Sequence, residues 1–401
     1  MPSTDRSPPL AGITLIDLGR VLAAPFAASV LASLGARVIK VERPGAGDDS
    51  RAFGPHFNGK SLYFTSVNCD KESIALDLTN NEDRAIFEQL LDGADVLLEN
   101  FSPQVMGSLG YDWESLHARW PSLIYGALSG FGRTGPLAAQ PAYDIIVQAL
   151  GGIMSLTGHP GTAPVRVGAS IGDLVAGLYM ALGVVSAIHK RARTREGCLI
   201  DIAMLDCQVA FLEAAITTFT TTGVSPTALG TRHPSIAPFQ AYPCRDRTIV
   251  IGAGNDALFA ALCTAVDRAE LASHPSYDTN AKRLASVDAL EVELTLALAN
   301  RTATEWVERL TAVGVPCAPI QTIAEVVAMP QVSARQMVVP VADPLLATTR
   351  VPGNPIKMSS VDPRGHRERA PDLDEHRSSI LAALASGKVD RNQPSAPNLL
   401  P

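Results

Sequence analysis

The stretch VRVGASIGDLVAG (165–177) sets a single carboxylate, Asp173, among glycines and small side chains, ahead of fifteen uncharged and mostly apolar residues. Two chemistries suit that placement. A carboxylate at the start of a helix can cap it by accepting first-turn N–H groups. It can equally act as a nucleophile on an acyl carbon, forming an anhydride and then a thioester. Gly168, Ala169, Ser170, Gly172, Ala176 and Gly177 would then leave room for a bulky acyl group. On spacing alone the cap is the simpler reading. The two roles are compatible, because the positive end of the helix dipole is expected to keep such a carboxylate ionised.

Other residue patterns offer less. SGFGRTGP carries Gly130, Gly132 and Gly135 in the order G-x-G-x-x-G after a strand-like run. A dinucleotide fingerprint needs those glycines to open a helix, with an acidic residue about twenty positions later. Here Pro136 and LAAQP lead into loop, which argues against NAD or flavin. Arg20, Lys40, Arg43 and Arg51 lie in or beside the unit 13–42, at expected carboxyl ends of strands, where parallel sheets open onto ligands. His159 and His233 each precede a proline in a loop and are candidates for acid/base work, with no carboxylate or nucleophile beside them in sequence. No G-x-S-x-G, P-loop or H-E-x-x-H occurs, so serine hydrolysis, phosphoryl transfer and zinc proteolysis lack their usual support.

Composition narrows the partners. A net charge of −7 with no long basic block marks neither a nucleic-acid nor an acidic-membrane footprint. Six cysteines without a C-x-x-C pair read as reduced thiols in a cytoplasmic compartment. MPSTDRSPPLAG lacks a basic segment followed by an apolar one, and Leu174–Ile188 falls short of the ~20 residues that span a bilayer. A soluble, unprocessed chain is expected, binding a small molecule or another protein.

The elements that must position these residues follow an α/β rhythm. ITLIDLG (13–19), ARVIKVE (36–42), SIALDL (73–78), DVLLENF (95–101), SLIYGALS (122–129) and GCLIDIAML (197–205) read as strands. Between them, 23–35, 80–94, 102–120, 142–156 and 173–194 have helical spacing, which predicts a parallel sheet covered on both faces. The Thr/Pro/Gly-rich stretch 220–238 marks a boundary, and 240–320 reads as a small α/β unit of its own. A last helix is expected over 374–385, followed by a polar tail, KVDRNQPSAPNLLP.

The blocks LAGITLIDLGRVLAAPFAASVLASLGARVIKVERPGAGDDSR, SLYFTSVNCDKESIALDL, ADVLLENFSP, LSGFGRTGP, AYDIIVQALGG, IGDLVAGLYMALG, GNPIKMSS and AP-x-x-x-EH follow one another along the chain. In that order they resemble the class III CoA-transferases, the family of formyl-CoA transferase and carnitine CoA-transferase. The resemblance implies a Rossmann-like large domain formed by 1–224 and 326–401, a small α/β domain inserted over 225–325, and a homodimer of interlocked rings. It also implies a coenzyme A thioester as substrate, with no metal and no NAD.

By the same resemblance Asp173 is the catalytic carboxylate. It attacks a donor acyl-CoA to give a mixed anhydride and CoA thiolate, and the thiolate then converts the anhydride to an aspartyl-CoA thioester. The acceptor acid reverses the steps. Backbone amides around Gly172, or groups of the opposite subunit, are the candidates for stabilising the oxyanion. The CoA-contacting positions fall on Leu22, Ala23, Arg43, Leu76, Asp77, Leu78, Asn100, Phe101, Ser102 and the stretch Pro141–Asp144, which includes Tyr143. Arg20 and Tyr143 are the expected contacts of the acceptor carboxylate.

Four departures from formyl-CoA transferase stand out. Leu22 replaces a glutamine, Ser108 an arginine and Pro141 a lysine, and 240–255 has no glycine-rich loop. They argue against formyl-CoA and oxalate; the donor that the resemblance implies, because many members of the family use such donors, is succinyl-CoA or a related short dicarboxylyl-CoA. The racemase branch of the family carries a histidine where this chain has Tyr143. A phenol with an ordinary pKa near ~10 is a poor base at neutral pH, so transfer is favoured over racemisation.

Overall fold

The computed structural model describes residues 6–362 and 364–386; the polar tail expected from Lys388 onward lies outside them. The chain divides into two compact units. The larger takes the described parts of Met1–Ile153, Arg166–Ala214 and Pro330–Pro401, and the smaller takes Met154–Val165 with Ala215–Met329. The small unit thus begins ten residues before the expected boundary and also draws in a short excursion from the middle of the large one.

In the large unit, successive strand residues feed opposite faces of one sheet, as the two-residue period of a strand requires. Leu15 of β1 (Thr14–Asp17), Val38 of β2 (Arg37–Glu42) and Ile124 of β5 (Ile124–Ser129) enter one core. Their neighbours Ile16, Ile39 and Tyr125 enter the other. With β3 (Lys71–Ala75), β4 (Val96–Glu99) and β6 (Leu199–Ala203) the sheet has the order β3-β2-β1-β4-β5-β6, all parallel. Such strands carry apolar residues for both faces because helices cover both. The order reverses between β1 and β4, and the crevice beyond the carboxyl ends at such a reversal is where open α/β sheets bind ligands.

One covering layer contains α1 (Ala23–Ser33) and the long helix α4 (Ile171–Thr194). The other contains α2 (Asn81–Asp92) and the returning helix Arg377–Ala385, which seats Ile380 in the second core. α2 starts where the Asn80 side chain accepts the Glu82 and Asp83 N–H groups, a cap worth ~1 kcal/mol. The 24 residues of α4 are long and apolar enough to cross a bilayer by length and composition, which the uncharged run alone is not. In the fold the helix lies on α1, β5 and β6, burying Val175, Ala176, Met180, Val184 and Ala187 at helical spacing. Arg191 anchors its end by pairing with Asp95 at 2.7 Å.

The stretch expected as one helix over 142–156 is two, α3 (Asp144–Leu150) and Ile153–Leu156. The break falls at Gly151–Gly152, where Gly152 has φ +84°, a left-handed conformation that ends a helical run.

The small unit holds a three-stranded antiparallel sheet, with Thr248–Gly252 between Phe239–Pro243 and Cys317–Pro319. Helices Asp256–Ala265, Val287–Leu298 and Ala303–Ala312 pack Phe259, Leu294 and Trp306 on it. The last of these begins with a reciprocal cap between Thr302 and Glu305.

Candidate active site

Asp173 does not cap α4. The helix begins at Ile171, Ser170 holds the cap position without a side-chain bond, and Asp173 falls third in the first turn. The cap comes from α3 instead. Asp144 Oδ1 accepts the Gly172 N–H at 2.8 Å, and its Oδ2 accepts from Gln148 Nε2 at 2.7 Å. Gln148 Oε1 in turn accepts the Val167 N–H at 2.9 Å, which holds the loop leading into α4. The Gly172 N–H expected to serve an oxyanion is therefore already committed to Asp144.

Two carboxylates thus share one helix start with opposite fates. Asp144 is buried and fully engaged. Asp173 is half-buried and has no hydrogen-bond or ion-pair partner among the described residues. Burial first, and then the negative charge of Asp144, lift its carboxyl to about 7. Burial and the like charge of Asp144 thus act against the ionised form that the helix dipole favours. At neutral pH the group is divided between its two forms, and its anion is poorly solvated and unpaired. Those are the properties of an activated nucleophile.

The small residues around Asp173 also need a second reading. A Cβ on Gly172 would lie 2.7 Å from Val147 and 3.0 Å from Asp144, and one on Gly177 would lie 2.7 Å from the Ala23 carbonyl. These glycines let α4 approach α3 and α1, and Ala176 is core. Only Gly168 stands where a Cβ would meet nothing within 4 Å.

The second feature is a cleft of about 220 Å³ at the carboxyl ends of β1, β2 and β3, at the reversal of strand order. It brings together Arg20, Arg43, Leu76, Asp77, Leu78 and Phe101 from the expected contacts, with Lys40, Glu42 and Asp48 in its wall. Arg20 and Arg43 share Asp49 between them, and exposed Asp77 lies on the same lining, so the rim carries charges of both signs. Apolar Leu76, Leu78 and Phe101 beside the two arginines suit a ligand with a planar ring and an anionic group.

The remaining expected contacts lie outside the cleft lining. Asn100 clamps the Arg20 backbone, Leu22 precedes α1, and Ala23 is buried under α4. Ser102 is exposed just past Phe101. Tyr143, 76% exposed, and Asp144 sit at the start of α3 beside the Asp173 helix.

Tyr63 is a residue that the sequence patterns do not single out. Burial first, and then the charges of Asp173, Asp144 and Asp48, raise its phenol above the ordinary range. It stands within the electrostatic reach of both the Asp173 carboxylate and the cleft wall. Its only signal in the sequence is membership of the block SLYFTSVNCD.

Other candidates have structural explanations. His233 Nδ1 accepts the Ser235 N–H at 3.0 Å and its ring packs on Phe239. His159 packs against Gly230 within the small unit. No helix follows Gly130–Gly135; Gly132 and Gly135 have φ +80° and +89° and serve turns. Lys71, fully enclosed, donates to Asp17 at 2.8 Å and to the Pro25 carbonyl at 2.9 Å, and burial lowers its pKa to about 8.

A family model for CoA-transferase family III matches residues 10–377. The chain belongs to that family. Family III members of established name are similar over nearly their whole length. The acetyl-CoA:oxalate CoA-transferase of Acetobacter aceti is 44% identical, with 94% of this chain and 96% of that protein covered. The succinate–glutarate CoA-transferase of Agrobacterium fabrum is 39% identical, with 95% and 96% covered. The crystal structure of a CAIB/BAIF family protein from Brucella suis superposes with a TM-score of 0.85 at 37% identity, covering 95% of this chain and 100% of that one. This family III chain is accordingly a CoA-transferase with the family's mixed α/β fold.

Proposed function

We propose that the protein moves coenzyme A from a short acyl-CoA donor, such as succinyl-CoA, to a dicarboxylic acid acceptor, with Asp173 as the covalent carrier. The observation that carries this reading is the Asp173 carboxylate itself: half-buried, without a hydrogen-bond or ion-pair partner among the described residues, and lifted to about 7 at the start of α4. The dicarboxylate class is supported by the relatives, which are named for oxalate, glutarate and mesaconate.

In the proposed cycle an Asp173 oxygen bonds to the donor's acyl carbon and the C–S bond breaks, releasing CoA thiolate. The thiolate then attacks the Asp173 carbonyl, expelling the donor acid as carboxylate and leaving aspartyl-CoA thioester. The acceptor carboxylate attacks that thioester, and the returning thiolate takes the acceptor acyl group and frees Asp173. Thioester is exchanged for thioester, so the scheme draws on neither metal nor ATP. The CoA nucleotide occupies the cleft, with Arg43 on a phosphate and Leu78 and Phe101 against the base. Arg20 and Tyr143 take the acceptor carboxylate.

We further place the active form as a homodimer in the cytoplasm. Leu178, Leu182 and Val185 of α4, with Ile145 and Leu150 of α3, form exposed apolar surface that a second copy would cover. The six unpaired cysteines suit a reducing compartment.

The test is an assay of succinyl-CoA with a panel of dicarboxylates in deuterated water. A new CoA ester should form only when an acceptor acid is present, and the α-carbon should retain its protons. Deuterium incorporation without an acceptor would assign the site to racemisation instead.

A further inference from the structure

The turn that leaves β1 for α1 is held by an unusual density of side-chain bonds. Asp17 accepts the Gly19 N–H at 2.8 Å, and Lys40 Nζ donates to the Gly19 carbonyl at 2.6 Å. Asn100 Oδ1 accepts the Arg20 N–H at 2.7 Å, and its Nδ2 donates to the Arg20 carbonyl at 2.9 Å. Asp48 Oδ1 accepts the Val21 N–H at 3.0 Å. Successive polar groups of the backbone from Gly19 N to Val21 N are thus each bonded to a side chain, the first to neighbouring Asp17 and the other four to residues of distant segments.

The reason is conformational. Val21 has φ +64°, a left-handed conformation that the β-branched side chain opposes. Such a conformation persists only where its surroundings over-determine it, and it concentrates at functional sites. Lys40 is central to the restraint. Its ammonium lies 2.9 Å from Asp48 and 4.0 Å from Asp17, and all three residues are at most 2% exposed. A buried ion network of this kind is weak evidence for stability, since apolar residues can hold a fold as well. It is better suited to fixing one geometry. The turn it fixes carries Arg20 into the cleft wall and delivers Leu22 to the start of α1.

We propose that Lys40, acting with Asp48, is a positioning residue for CoA transfer, holding the Gly19–Val21 turn in its left-handed form so that Arg20 stands in the cleft. The proposal rests on the CoA-transferase reading of this site, and Lys40 acts through the turn rather than on substrate.

The test compares the full-length wild type, Lys40→Met and the double variant Lys40→Met/Val21→Gly. Loss of the Lys40 contacts should let Val21 leave the left-handed region, with about a hundredfold fall in kcat/KM for acyl-CoA, the scale of a 1 Å misplacement. Glycine adopts that region without penalty, so the second substitution should restore activity roughly tenfold. It should leave the Tm of Lys40→Met unrepaired, because the buried pair is still missing. Activity that is not rescued, or is rescued only in step with Tm, overturns the proposal. If Lys40→Met does not fold, Asn100→Ala removes both Arg20 bonds while leaving the buried charges in place. It should show the same rescue by Val21→Gly, and failure there is equally decisive. Wild type that turns over acyl-CoA beside an unaffected Lys40→Met sinks the positioning role alone. Wild type without acyl-CoA turnover sinks the functional reading with it.

Discussion

Replacing Asp173 by Asn is expected to abolish CoA transfer while making the protein more stable above pH 7. The activity loss follows from the covalent scheme. An amide cannot attack the thioester, and removal of a nucleophile costs roughly 10⁴-fold or more in turnover. The stability gain follows from the same environment that activates the carboxylate. Its folded pKa of about 7 lies above the ordinary value of 3.8, so the folded state prefers the protonated form. The group's contribution to stability is therefore full below the unfolded pKa and is lost as pH rises through 7. Asn removes that loss. For a group still partly reached by solvent we expect a gain on the order of 1–2 kcal/mol at pH 8, shrinking as the pH falls toward 4. Thermal unfolding of both proteins across that range measures it. Equal stability at every pH would mean that the Asp173 environment is not strained in this way.

The second large effect is on the pH profile. Only the Asp173 anion attacks, so kcat/KM for the donor should climb with pH and level off near 7, since this ratio reports groups of the free enzyme. The causes of the shift are ordered, burial before the Asp144 charge. In Asp144→Asn the like charge is gone while Asn can still accept the Gly172 N–H. The bend should move to lower pH yet stay above the ordinary carboxylate range, because burial remains. A bend that moves upward in Asp144→Asn, or a profile without one, would show that the Asp144 charge does not act on Asp173.

The sheet is legible in the sequence because strands covered on both faces carry apolar residues at consecutive positions, as Leu15–Ile16 and Val38–Ile39 do. The start of α4 is not. A Gly-Asp pair ahead of an apolar run looks like a cap, but the acceptor is Asp144, 28 residues away along the chain. No local spacing reveals that the true cap is borrowed, or that the borrowed charge raises the pKa of Asp173. The glycines mislead for a related reason: Gly172 and Gly177 serve neighbouring helices that fold against them rather than open space.

Of the cleft, the residues at strand ends are legible through the α/β pattern, and the order reversal brings Arg20, Arg43, Leu76 and Phe101 together. Asn100 and Lys40 act on the backbone of another segment, which only the folded chain brings within reach. Substrate choice is the least legible. The departures at Leu22, Ser108 and Pro141 argue against oxalate, yet a 44% identical relative is named for it.

The most direct measurement is to trap the enzyme with hydroxylamine during turnover of succinyl-CoA and to map the product by peptide mass spectrometry. A carboxyl activated as anhydride or thioester is captured as a hydroxamate. Covalent transfer through Asp173 predicts that modification on the peptide containing Asp173 and on no other. Active enzyme whose Asp173 stays unmodified, or a hydroxamate at another carboxylate, would contradict it.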